Sequence, residues 1–367
     1  MFTSGAGRAR TARSPAPLSP AAAAGSETRA REPFGGRFAN TPLVTLPPVL
    51  AMRPRFIAKL WGGQRLRELP AKARAGHRPD NDTRTGEAWE VADLPEGSSV
   101  IEGGPHHGRP LRELVAKHAH SLVGARALPG LDGVLRFPLL VKLLDAGDDL
   151  SVQVHPGADY ARTHPGTFAK DEAWLVVEVE AGARVLHGFV DGVTRDVFMA
   201  AIAEGRAHEL LRSVQVSVGN VLRIAPGTMH AVGKGCLLLE VQEPSDTTFR
   251  VWDYRRLEHG KLRPLHVEQA LAVARFGEQD PPLVADLAHR PLITEHFGMA
   301  LVDVNAAAHV SRDLGEPAVL YVLDGEVHVE GTHLVRGATA IVCADAGDVH
   351  MTGNARVVVM TTGRGSA

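Results

Sequence analysis

The sequence predicts a mainly β protein: a double-sheet jelly roll with inserted helices, followed by a second, smaller β-sandwich. Three features point there. Short apolar runs alternate with polar residues at the period of a strand. Gly, Pro and Asp punctuate those runs, and the pattern restarts after about residue 285. A chain of 367 residues, 44% hydrophobic and 22% charged, can bury real cores and has the length of about two domains.

Residues 1–51 stand apart. They hold six arginines and two glutamates, and "SGAGRARTARSPAPLSPAAAAGSETRAREP" has no hydrophobic periodicity, so a disordered extension is expected. The Arg-rich, acid-poor make-up also fits a transit-like peptide, although no amphipathic repeat accompanies it. Met52 opens a more ordinary N-terminus, and a first domain is placed at 52–285. Within it, "RPLRELVAKHAHSLVG" (109–124) spaces Leu111, Leu114, Val115 and Leu122 as a helix, with a glycine to end it. "TRDVFMAAIAEGRAHELLRSV" (194–214) predicts an inserted helical pair split at Gly205. The runs "FPLLVKLLDAGDDLSVQVHP", "EAWLVVEVE", "ARVLHGF", "NVLRIAPGTMHAVGKGCLLLEVQE" and "TTFRVWDY" read as strands of a jelly roll. A second β domain is placed at 286–367, with turns at Asp324-Gly325, Gly331 and Gly337, and with His328, His333 and His350 as exposed strand or turn residues.

Charge and cysteine usage narrow the function classes. A formal net charge of −2 and a pI near 6.8 give no overall basic field for nucleic acid or an anionic membrane. Cys236 and Cys343 are too few for a disulfide framework, and no apolar run reaches the length of a membrane span. A cytoplasmic protein is expected, as a monomer or small homo-oligomer.

The stretch "LSVQVHP" places Gln153 and His155 two residues apart in a strand, on one face of it. Alone, such a pair reads first as a hydrogen-bonded pair at a barrel mouth. Two further residues favour a metal. Glu172 follows in "KDEAWLVV" at the start of the next β run, and a Pro-Gly turn feeds His230 into a strand in "APGTMHAVGKG". Two imidazoles, a carboxylate and an amide oxygen suit zinc or a similar divalent ion, although glutamine is an uncommon zinc ligand.

Taken in order, "KLWGG" (59–63), "GEAWEVAD" (86–93), "SVQVHP", "KDEAW", "PGTMHAVGKG" and "LEVQEPSDTTFRVWDYRR" resemble the type I mannose-6-phosphate isomerases, in particular the short bacterial form of that cupin family. The resemblance spans roughly residues 53–256. It implies a cupin jelly roll that binds one zinc through Gln153, His155, Glu172 and His230. It also implies an active-site arginine at Arg250 and a proton carrier at Glu240, with Lys170 as the rival. Enteric members carry a histidine just before that lysine, where this chain has Ala169. Lys142 and Ser151 resemble positions near the substrate's phosphate, and Glu87 and Trp89 recur near the site. Arg255 and Arg256 are further cations in the same stretch.

An aldose-ketose isomerase must open a sugar ring, move a proton between C1 and C2, and stabilise an enediolate. A Lewis-acidic zinc, a permanent guanidinium and a tuned carboxyl or ammonium group provide for those tasks. The implied activity is interconversion of mannose 6-phosphate and fructose 6-phosphate, with a small sugar phosphate as the partner molecule. The alternatives are a zinc-dependent isomerase of another aldose and a non-catalytic sugar-binding cupin, since fold does not fix function.

Overall fold

A computed structural model describes residues 45–74, 84–129, 133–277, 287, 289–310 and 315–363. The expected extension at 1–51 lies outside the described residues up to position 44. Val44–Ala367 forms one compact unit.

Two antiparallel sheets make the jelly roll. One has six strands, in the order Val221–Ile224, Glu172–Val179, Cys236–Gln242, Leu140–Asp145, Thr85–Val91 and Arg55–Gly63. The other has five, in the order Leu211–Gln215, Arg184–Phe189, His230–Val232, Val152–Val154 and Phe249–Trp252. The long apolar runs of the first sheet follow from burial on both faces. Along Glu172–Val179, Ala173, Leu175 and Val177 join one core cluster while Trp174 and Val176 join another. Leu237, Leu239 and Val241 alternate in the same way with Cys236 and Leu238.

The space between the two sheets is divided along the strands. Trp61, Leu144, Trp174, Val176, Val185, Leu222, Val232 and Leu238 fill one end with apolar side chains. At the other end the same strands supply Glu172, Glu240, Gln242 and Lys142, all buried. A closed hydrophobic plug therefore sits beneath a polar mouth, and it fixes the walls from which the polar side chains project.

Two helices behave as the sequence predicts. Leu111–Val123 buries Leu111, Leu114, Val115, Leu122 and Val123 and ends at Gly124. Arg195–Glu204 is capped by Thr194, whose side chain accepts the Val197 N–H at 3.3 Å, and stops at Gly205. The second helix expected before residue 214 is absent. A 3-10 turn, Ala207–Leu210, leads into the strand Leu211–Gln215, which pairs with Arg184–Phe189. Cross-strand pairing and burial of Leu211 beside Phe189 override the local helical pattern there.

Beyond residue 286 the chain forms long strands, Phe297–Val310, Ala318–Val329 and Val349–Thr362, within an eight-stranded sheet. The turn expected at Asp324-Gly325 is instead a bulge within the Ala318–Val329 strand. His328, His333 and His350 are exposed strand residues, as expected. The strand Val49–Arg53 runs across the boundary placed at residue 52 and pairs with Thr339–Val342 of this second lobe. The two lobes share a core: Tyr321, Ile341, Val358 and Met360 pack in one cluster with Leu143, Leu175 and Leu239. A buried ion pair adds to that junction. Lys72 Nζ lies 2.6 Å from Glu90 Oε2 and donates to the Gly337 carbonyl at 2.7 Å.

Candidate metal centre and active site

Strand register assembles the site. In the five-stranded sheet Gln153 pairs with His230 on one side and with Arg250 on the other, so these three residues stand in one row across the sheet. His155 comes just after its strand, before Pro156. On the facing sheet Glu240 pairs with Trp174 on one side and Lys142 on the other, and Lys142 pairs in turn with Trp89. Glu172 lies one step along that sheet, opposite Gln242.

The three strongest ligand candidates converge. His155, Glu172 and His230 each bring one ligand atom within 4.8 Å of the others, and all are at most 1% exposed. His155 Nε2 is 3.4 Å from Glu172 Oε2, and His230 Nε2 is 3.5 Å from Glu172 Oε1. Backbone carbonyls set both tautomers. His155 Nδ1–H donates to Thr247 O and His230 Nδ1–H to Thr228 O, each at 2.9 Å, which leaves both Nε2 lone pairs turned towards Glu172. Burial, then the charge of Lys170, lowers the His155 pKa; burial, then His155, lowers that of His230 to about 3. Both imidazoles are therefore neutral and open to a metal. The Glu172 carboxyl titrates well below its ordinary range: burial opposes this, but the neighbouring charges, Lys170 first, outweigh it.

This set fits a divalent ion. His155 Nε2 and both Glu172 oxygens are buried without a hydrogen bond of ordinary geometry, although Lys170 Nζ stands 2.8 Å from Glu172 Oε2. A buried carboxylate with unused lone pairs is costly unless a cation answers it. Gln153 turns its Nε2 towards His230 Nε2 at 3.4 Å, while its Oε1 accepts from Ser151 Oγ at 3.3 Å. A half-turn of the carboxamide would present Oε1 to an ion instead.

The remaining expected residues fall into two groups. Arg250 Nε donates to Ser151 Oγ at 3.2 Å, so Ser151 links the arginine to Gln153. Asp253 is engaged by Arg256 and Arg263. Arg255 is exposed. Lys142 is buried among carboxylates: Asp246 at 3.0 Å, Glu240 at 3.7 Å and Glu87 at 4.0 Å. Burial opposes its charged form, but Asp246, Glu87 and Glu240 raise its pKa. Glu87 accepts the Trp89 indole N–H at 2.7 Å and pairs with Lys59 at 2.9 Å, which places both residues behind Lys142.

Glu240 accepts the Trp174 indole N–H at 3.0 Å, and burial, then the Glu172 charge, pushes its pKa up to about 7. Asp246 and Trp174 are site residues that sequence reasoning missed. Asp246 sits in the "PSDTT" loop, where spacing carries no signal, and Trp174 reads as core from its alternation alone. Among the described residues no helix is long and apolar enough to cross a membrane.

Comparison with known proteins agrees with this geometry. Residues 49–175 match the family model "Phosphomannose isomerase type I, catalytic domain". The chain is 39% identical over 230 residues to a mannose-6-phosphate isomerase of Streptococcus mutans serotype c, covering 62% of this chain and 68% of that protein. It is 40% identical over 226 residues to mannose-6-phosphate isomerase ManA of Bacillus subtilis, covering 61% and 67% respectively. The crystal structure of the Bacillus subtilis mannose 6-phosphate isomerase superposes with a TM-score of 0.75 at 29% identity, over 86% of this chain and 99% of that one. A zinc-bound mannose 6-phosphate isomerase shares the fold with a TM-score of 0.64 at 16% identity, over 86% of this chain and 100% of that one. The extent of these matches settles the family: the chain belongs to the type I phosphomannose isomerases.

Proposed function

We propose that the protein interconverts mannose 6-phosphate and fructose 6-phosphate, with zinc held by His155, Glu172, His230 and Gln153. One observation carries this reading. Two neutral imidazoles and an ionised carboxylate meet in a buried pocket with unused lone pairs, beside a second carboxyl poised near neutrality. Zinc bound there supplies Lewis-acid polarisation of sugar oxygens.

The protein's own groups do the rest. Glu240 takes the proton from one carbon and returns it to the next; a carboxyl pushed up to about 7 exchanges protons readily at that pH. Trp174 holds one of its oxygens in place. Arg250, half-buried with its Nη1 donating to the Pro264 carbonyl at 3.2 Å, keeps a permanent positive charge to meet the developing oxyanion. Lys170 is held by Glu172 and steadies that ligand's charge, which favours Glu240 as the carrier. Lys142, with its three carboxylate neighbours, acts on Glu240 and Asp246, and a sugar phosphate would meet it only in competition with them.

The test is conversion of mannose 6-phosphate to fructose 6-phosphate by purified protein, followed by a coupled reporter enzyme, with glucose 6-phosphate and free mannose as competing aldoses. Turnover confined to mannose 6-phosphate supports the reading; preference for another aldose replaces its substrate.

A further inference from the structure

The outer face of the second lobe carries histidines that the isomerase chemistry does not use. Along Val349–Thr362, residues 350, 352, 354 and 356 face solvent, while 349, 351, 355 and 357 are buried. Register puts His309 opposite His350, and His328 opposite both Thr352 and His333. All four imidazoles therefore stand on one solvent face. Each pair has a carboxylate: His309 Nε2 lies 3.4 Å from Asp348 Oδ2, and His333 Nε2 lies 3.2 Å from Glu326 Oε2.

The buried centre is a yardstick within the same molecule. Its two rings are 4.8 Å apart between centroids and inclined at 50°, with nitrogen-to-carboxylate distances of 3.4 and 3.5 Å. The His309 and His350 rings nearly repeat that spacing, at 4.9 Å and 39°, and His309 alone has its Nε2 3.4 Å from Asp348. Two imidazoles on one tetrahedral zinc, at ~2.0–2.1 Å each, hold their centroids roughly 5 Å apart. His328 and His333 differ. At 4.5 Å and 15° they are nearly stacked, so their nitrogens lie alongside one another and do not aim at a shared point. Glu330 Oε1 accepts the backbone N–H of His350 at 2.9 Å and adds a second carboxylate beside the first pair.

We propose that His309, His350 and Asp348 form a second, surface site for a first-row divalent ion such as zinc. His309 and Asp348 are 44% and 46% exposed. Among the described residues only the buried trio brings one atom from each of three ligands within 4.8 Å, so an ion at the surface set would have to draw its exposed side chains together. Ordering them costs conformational entropy, and the surface site binds more weakly than the buried one.

The test uses the full chain loaded with one equivalent of zinc, dialysed against rising zinc, with metal content measured at each step. A second equivalent is expected in the wild type. It is lost in the His309→Gln, His350→Gln double variant and kept in the His328→Gln, His333→Gln variant, with sugar-phosphate turnover unchanged in both. The readout is the difference between variants, so it stands whether or not the buried centre holds zinc. A wild-type plateau with no equivalent beyond that of the 309/350 variant overturns the proposal, as does loss of the ion in the 328/333 variant alone.

Discussion

The indole N–H of Trp174 donates to Glu240 Oε2 at 3.0 Å, tying the proposed proton carrier to the strand that begins with the proposed metal ligand Glu172. A donor to the ionised carboxylate favours its charged form, so deleting the donor raises the pKa. In Trp174→Phe the acid limb of kcat/KM is expected to move to higher pH than in the wild type. Titration of the substrate's phosphate is common to both proteins and does not contribute to the difference. A limb that stays in place would remove Glu240 from the carrier role.

The direction of that limb follows from the same group. Glu240 must be ionised to accept a proton, and burial pushes its pKa up to about 7, so activity is expected to rise with pH through neutrality. Glu240→Gln is expected to lower kcat by roughly 10²–10⁴-fold, the usual range for a lost general base. Its zinc content, read by atomic absorption, should stay at the wild-type level. Wild-type kcat in that variant would pass the proton to another group, Lys170 first.

Much of this site is legible in the sequence. The i, i+2 spacing of Gln153 and His155 and the Pro-Gly turn before His230 are local features, and local features survive in sequence. The neighbourhood of Lys142 is different: Asp246 is 104 residues away along the chain and Glu240 meets Lys142 only through strand register. The same limit explains Val49–Arg53, whose partner Thr339–Val342 lies at the far end of the chain, and Leu211–Gln215, where a helical pattern loses to a cross-strand neighbour.

Gly227 fastens the turn that delivers His230. Its N–H donates to the His155 carbonyl at 2.9 Å, its φ is +82°, and a Cβ there would lie 2.8 Å from both Arg275 Cγ and the Val273 carbonyl oxygen. Gly227→Ala is expected to cost about 1–3 kcal/mol of stability from backbone strain and to weaken zinc retention, because the turn positions both imidazoles. Thermal melting and metal content measured on one preparation check both effects. An unchanged melting temperature would show that the turn tolerates the side chain.

The Lys72–Glu90 pair touches none of the site residues and is buried on both sides, at 2% and 0% exposure. Thr339 Oγ1 also donates to Glu90 Oε2, at 2.8 Å, so the second lobe shares the pair. Lys72→Met leaves a buried carboxylate without its cation and is expected to cost ~3–5 kcal/mol. Adding Glu90→Gln should recover part of that loss. Denaturant melts of the single and double variants check this, and kcat of the folded fraction should not change.

Metal dependence tests the central claim most directly. One preparation is assayed with mannose 6-phosphate as purified, after chelation, and after restoring one equivalent of zinc, with a folded His155→Ala variant alongside. Turnover is expected to vanish on chelation, return with zinc, and stay absent in the variant, because His155 Nε2 and the Glu172 carboxylate are buried without a hydrogen bond of ordinary geometry and converge with His230 within 4.8 Å, as a metal site requires. Full turnover in the metal-stripped protein, or none with zinc verified at one equivalent, would contradict it.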